Sequence, residues 1–139
     1  MITCTRRVQF AAGHRVYGHE SKCANLHGHN YVVLFEAEAP QLDDIGRVID
    51  FSVLKQRLGG WIEKEWDHGF LFDCTDVDCA TIFVGSTWKR FACPFNPTAE
   101  NMAEFLLRIV SPELLNATGV RVVRVTVWET ENCYATASL

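Results

Sequence analysis

The chain has 139 residues, of which 48% are hydrophobic and 22% charged, and its formal net charge is −4 at pH 7. This length suits one domain with its own core, and an acidic balance without a Lys/Arg cluster argues against a nucleic-acid-binding surface. No apolar run approaches the roughly 20 residues that span a bilayer, and the N-terminus lacks a signal peptide's apolar stretch, so we expect no membrane partner and a cytoplasmic location. In that compartment the six cysteines are expected to be free thiols.

The first two predicted strands each carry a histidine at the end of an apolar face. Alternation predicts one strand from Thr3 to His14 and a second from about His29 to Ala39. If the two strands form an antiparallel hairpin, the end of the first lies beside the start of the second. His14 would then meet His27 and His29.

Two amphipathic helices are predicted in the middle of the chain. The first covers residues 51–66, with Asp50 or Ser52 as its N-cap, and the second runs from Pro97 or Ala99 to residue 110. Residues 73–93 show no periodicity and are predicted to form a surface insertion.

Two more strands are predicted at the end of the chain, from Val120 to Glu129 and from Cys133 to Leu139. The element order is therefore β-β-α-α-β-β over residues 1–139, without a repeat or linker. Strands at both ends and helices between them favour one α+β domain, an antiparallel sheet with the helices on one face.

The histidines His14, His27 and His29 are the candidate metal ligands. Three imidazoles with a free fourth position are typical of a catalytic zinc site, whereas isolated histidines are more often ordinary core or turn residues. Cys23 lies four residues before His27. It could close the site as a fourth ligand, or it could be a reactive thiol next to the metal.

Three acidic residues and one further histidine could also carry chemistry. Asp67 precedes His68 and could orient its imidazole, which favours the reactive-thiol interpretation of Cys23, although a histidine after a helix also suits the helix dipole. Glu129 ends an apolar strand face and could accept two parallel hydrogen bonds from the edge of a pterin or guanine. From spacing alone, Glu100 is better explained as an acid in the first helical turn.

Six motifs resemble, in order, the 6-pyruvoyltetrahydropterin synthase/6-carboxytetrahydropterin synthase family. These are Phe10-Ala11-Ala12-Gly13-His14-Arg15, Cys23-x3-His27-Gly28-His29-Asn30, Asp50-Phe51-x2-Leu54-Lys55, Asp67-His68, Asn96-Pro97-Thr98-Ala99-Glu100-Asn101 and Trp128-Glu129-Thr130. The resemblance implies the T-fold, a ring-shaped homo-oligomer that is commonly a hexamer of two trimers, and an active site between subunits. The family usually has alanine where this chain has Gly13, which could mark a bulge.

The resemblance also implies roles for individual residues. Zinc would be held by His14, His27 and His29, and Cys23 would transfer protons with Asp67 and His68, while Glu129 would anchor the pterin with help from Thr98 and Glu100. The implied substrate is 7,8-dihydroneopterin triphosphate. The short C-x3-H-x-H spacing resembles the carboxy branch of queuosine biosynthesis, which releases acetaldehyde and triphosphate. The alternatives are the pyruvoyl branch, which only eliminates triphosphate, and a non-catalytic zinc-stabilised pterin or guanine binder.

Overall fold

The computed structural model describes residues 1–139 and contains one six-stranded sheet in the order β4-β3-β1-β2-β5-β6. Its strands are β1 (Thr3–His14), β2 (His27–Glu38), β3 (Gly69–Asp73), β4 (Arg90–Cys93), β5 (Arg121–Thr130) and β6 (Cys133–Ser138). The helices are α1 (residues 51–65), α2 (Val77–Ile82) and α3 (residues 99–114). None of the helices is long and apolar enough to cross a membrane.

Four of the strands confirm the sequence prediction. Strands β1, β2, β5 and β6 are consecutive antiparallel neighbours, and β1 has the predicted bounds. Their apolar side chains alternate inward because successive strand residues face opposite sides of a sheet. Phe10, Tyr31 and Val125 therefore lie in the main core, together with Trp66 of the α1 C-cap and Leu106 of α3.

The prediction of an antiparallel sheet was incomplete. The observed sheet is mixed. Strand β3 runs parallel to β1, and β4 runs parallel to β3. Residues 73–93, which were predicted as a surface insertion, instead contain α2 and β4 and connect these parallel strands. Leu71 points into the main core while Phe72 packs with Cys79 of α2, so α2 lies on the other face of the sheet.

Both long helices contain a π-helical middle, and side chains cap their first turns. The Asp50 carboxylate accepts the Ser52 N–H at the start of α1, and the Thr98 hydroxyl accepts the Asn101 N–H at the start of α3. Helix α3 was predicted to end at residue 110 because of Pro112. It continues to Leu114, because the wide π turn Leu106–Val110 leaves room for the proline ring. Pro112 has no backbone N–H, so it leaves no unpaired donor in the helix.

Gly13 does not mark a bulge, because it pairs in regular register with Gly28. Its missing side chain makes room for a neighbour instead. A Cβ atom at Gly13 would lie 2.7 Å from Cδ2 of Phe70, much closer than carbon atoms approach without displacement. Gly13 thus leaves free the space that the Phe70 ring of β3 occupies.

We expect Gly13→Ala to lower the free energy of unfolding by about 1–3 kcal/mol through overpacking, measured by urea denaturation. Adding Phe70→Leu should recover part of this loss, since the two sites are in contact. Gly60→Ala is the matched control. A Cβ there meets nothing within 4 Å, so this helical substitution should stabilise by about 0.5–1 kcal/mol. Equal effects at Gly13 and Gly60 would contradict the packing explanation.

Candidate metal centre

The three predicted histidines converge at one end of the β1–β2 hairpin. Their register places His14 opposite His27 and Ala12 opposite His29. One ring nitrogen from each of the three histidines lies within 4.8 Å of the other two, and the Nε2 atoms of His14 and His27 are 3.0 Å apart. The predicted hairpin and the meeting of its histidines are confirmed.

Backbone carbonyls orient two of the imidazoles. Nδ1 of His14 donates to the Pro97 carbonyl at 2.8 Å, and Nδ1 of His27 donates to the Asn25 carbonyl at 2.7 Å. A carbonyl can only accept, so the Nδ1 atoms carry the hydrogens and the Nε2 lone pairs face the centre. Nε2 of His29 is buried without a hydrogen-bond partner. Converging lone pairs and an unpaired buried nitrogen fit a bound cation, and imidazole donors suit zinc.

Burial favours the neutral form of His14 and His29. His14 is 1% exposed, and burial, assisted by His27 and His29 and opposed by the Pro97 hydrogen bond, lowers its pKa to about 4. Burial also lowers the pKa of His29, against the opposing effect of Glu129. Because metals bind the neutral imidazole, these shifts leave the nitrogens of His14 and His29 available at pH 7.

Glu129 lies directly beside the histidines. Its Oε1 is 3.4 Å from Nε2 of His14 and 3.6 Å from Nε2 of His29, and its side chain is partly exposed. The strand end predicted to anchor a pterin therefore faces the metal centre, so a ligand held by this carboxylate would lie next to the metal ligands.

Cys23 is not part of the group of mutually close ligand atoms, which consists of the three imidazoles. It lies half-buried in a single 3₁₀ turn, Lys22–Ala24, between β1 and β2. This geometry favours a thiol outside the metal's ligand set over a closed Cys/His3 site.

Asp67 and His68 form a hydrogen-bonded pair. The Asp67 carboxylate is 2.9 Å from Nδ1 of His68 and accepts the Ala11 N–H at 3.0 Å. Burial raises the pKa of Asp67, but these two partners outweigh it and the pKa is lowered. The His68 side chain is 81% exposed, and both His68 and His29 line a cavity of about 450 Å³.

The other two predicted substrate-binding residues, Thr98 and Glu100, lie at the start of α3. Thr98 is the N-cap of α3, and Glu100 is an exposed acid in its first turn. The adjacent Pro97 carbonyl, which orients His14, was not predicted. A backbone acceptor has no signature in the sequence, although the Asn-Pro-Thr helix start showed that the chain turns there.

The chain is similar to known proteins over nearly its full length. The family model described as 6-pyruvoyl tetrahydropterin synthase matches residues 3–138. Proteins named 6-carboxy-5,6,7,8-tetrahydropterin synthase are similar at 36% identity in Rickettsia bellii, covering 96% of this chain and 98% of that protein, and at 32% in Haemophilus influenzae, covering 96% of each.

Solved structures share the fold. An uncharacterized protein from Wolinella succinogenes superposes with a TM-score of 0.85 at 24% identity, covering 99% of this chain and 97% of that one. The 6-pyruvoyl tetrahydropterin synthase of Caenorhabditis elegans has a TM-score of 0.70 at 23% identity, covering 99% and 95%. The predicted α+β T-fold is confirmed.

Proposed function

Because the chain belongs to the 6-pyruvoyl tetrahydropterin synthase family, we propose that it is a zinc-dependent 6-carboxy-5,6,7,8-tetrahydropterin synthase of queuosine biosynthesis. Its substrate would be 7,8-dihydroneopterin triphosphate, and its other products acetaldehyde and triphosphate. The observation that carries the proposal is the convergence of His14, His27 and His29 beside the Glu129 carboxylate. A metal centre and a pterin anchor are thus adjacent.

The chemistry of each side chain suggests a different role for it in the proposed reaction. Zinc held by the three imidazoles would supply a Lewis acid that acidifies the substrate's side-chain hydroxyls. Glu129 accepts two N–H groups from the pterin edge and so orients the ring. Cys23 as a thiolate accepts a proton from the side chain, and His68, held by Asp67, exchanges a proton at the opposite side. Thr98 and Glu100 would help to hold the pterin.

The carboxy branch is supported by the spacing of the thiol and by the relatives. The C-x3-H-x-H motif has the short form, and relatives named for the carboxy product share 32–37% identity over nearly the full length. The branches differ in whether a carbon–carbon bond of the substrate side chain is broken, because acetaldehyde removes two of its carbons.

The site supports assembly into a homo-oligomer. The His68 side chain is largely exposed and is therefore accessible to a residue of another chain, as an active site between chains requires. The sheet also has uncovered edges. Strand β3 covers only Ala12–His14 of β1, and β6 ends the sheet. Free edges are usually paired or covered, which supports the ring of subunits, two trimers in a hexamer, that the family resemblance implies.

The decisive experiment incubates zinc-loaded protein with 7,8-dihydroneopterin triphosphate and quantifies the products. We expect equimolar acetaldehyde and triphosphate, because each turnover breaks one carbon–carbon and one carbon–oxygen bond. Protein treated with a chelator and then reloaded with zinc is the control. Triphosphate without acetaldehyde would instead establish the pyruvoyl branch.

Absence of turnover by an assembled, zinc-loaded protein would overturn the enzyme assignment. The non-catalytic binder would then become the better explanation. It predicts a Cys23 sulfur–zinc bond of about 2.3 Å, which X-ray absorption on the zinc-loaded protein would detect.

A further inference from the structure

The loop that carries Cys23 is clamped by one side chain, Asn96. The Tyr17 N–H donates to Oδ1 of Asn96 at 2.8 Å, and Nδ2 of Asn96 donates to the Tyr17 carbonyl at 2.8 Å. A carboxamide offers a donor and an acceptor side by side, so it pairs with this peptide as a neighbouring strand would. Alanine can make neither bond, and aspartate lacks the donor.

Asn96 is itself fixed to the first turn of α3. Its carbonyl accepts the Thr98 N–H at 2.7 Å and the side-chain amide of Asn101 at 2.9 Å. The next residue, Pro97, gives its carbonyl to Nδ1 of His14 at 2.8 Å. One dipeptide therefore holds both the thiol loop and a metal-centre imidazole.

The residue that Asn96 clamps, Tyr17, is next to a residue that is hydrogen-bonded to the backbone of Cys23. The Val16 N–H donates to the Cys23 carbonyl at 2.9 Å, so fixing Tyr17 also fixes Cys23. A second tether holds the beginning of the loop, where Nε of Arg15 lies 3.1 Å from the fully buried carboxylate of Asp76. Of the two tethers, the one made by Asn96 is joined through Pro97 to the metal centre.

We propose that Asn96 is a positioning residue that sets the separation between the Cys23 thiol and the histidine centre. The inference rests on the proposed role of Cys23 in proton transfer. Reacting groups displaced by about 1 Å can lose on the order of 10²-fold in rate, so a clamp on the loop acts on turnover rather than on substrate affinity or metal content.

The test compares Asn96→Ala and Asn96→Asp with the wild type in the zinc-loaded full chain. We expect kcat to fall by about 10- to 100-fold, with KM changed less than about twofold and zinc content unchanged. Iodoacetamide labelling, followed peptide by peptide with mass spectrometry, should show the Cys23 rate altered at least about threefold as the loop loosens. The exposed thiols of Cys74 and Cys133 serve as internal references.

Thr118→Ala is the matched control, because the Thr118 hydroxyl also bridges two backbone groups, the Leu115 carbonyl at 2.6 Å and the Val120 N–H at 3.1 Å. It removes a comparable pair of bonds away from the site, so kcat and Cys23 labelling should stay at wild-type values. The proposal is overturned if Thr118→Ala lowers kcat as Asn96→Ala does, or if Cys23 labelling is the same in the Asn96 variants and the wild type. Labelling needs no substrate, so an inactive wild type would refute the proposed function while this comparison still decides on Asn96.

Discussion

Cys23→Ala is expected to lower kcat by about 10²–10⁴-fold, the usual contribution of a positioned proton-transfer group. The zinc content should stay at the wild-type level, because the group of close ligand atoms contains His14, His27 and His29 and not the Cys23 sulfur. Product formation and metal analysis on the same preparation measure both quantities.

Cys74→Ala is the control for this experiment, since Cys74 is an exposed thiol in the turn after β3. It should retain full activity and full zinc. Zinc loss in Cys23→Ala would show that the sulfur is a metal ligand, and activity close to wild type would remove Cys23 from the mechanism.

Mixing two inactive variants tests whether Cys23 acts together with the Asp67–His68 pair of another chain. Cys23→Ala and His68→Ala should each be inactive alone. After dissociation and reassembly together, about a quarter of the interfaces in a ring with head-to-tail contacts would combine an intact thiol with an intact His68. Activity should recover toward that fraction. If confirmed mixed oligomers recovered no activity, Cys23 of one chain would not act together with His68 of another.

The parts of the fold that could be predicted are those with a long hydrophobic period. Strand β1 and helix α1 present regular apolar faces over ten or more residues, which separates strand from helix. Strand β3 has five residues and buries side chains on both faces, with Leu71 in one core and Phe72 in the other. It therefore shows no alternation, and β4 and α2 are also short, with four and six residues.

The site was predictable to the same degree. Histidines at strand ends are visible in the sequence, and hairpin pairing brings them together. The groups that orient them are not visible, because the carbonyls of Pro97 and Asn25 belong to the backbone and every residue has one. The Arg15–Asp76 pair was equally inaccessible, since it depends on the unpredicted crossover helix α2.

His14→Ala is expected to abolish zinc binding and, with it, activity. Mutation of a group that hydrogen-bonds to a metal ligand lowers metal affinity by about 10–100-fold. Loss of one of the three ligands themselves should therefore lower the affinity by more than this. Metal analysis after gel filtration measures the effect. The control is His19→Ala, which removes a histidine outside the ligand group and should leave zinc content unchanged. Full zinc in His14→Ala would refute the metal centre.

The same imidazole makes the zinc-free protein sensitive to acid. Unfolded His14 takes up a proton near its ordinary pKa of 6.5, whereas burial holds the folded pKa at about 4. Between these values the unfolded state binds more protons, so the free energy of unfolding falls as pH decreases. At about 1.4 kcal/mol per pKa unit, the loss between pH 7 and 4.5 should be about 2–3 kcal/mol, measured by urea denaturation of chelator-treated protein. His14→Gln, which cannot titrate, should remove the contribution of His14 and leave that of His29, whose pKa is also lowered by burial. An unchanged dependence in His14→Gln would mean that another group controls acid stability.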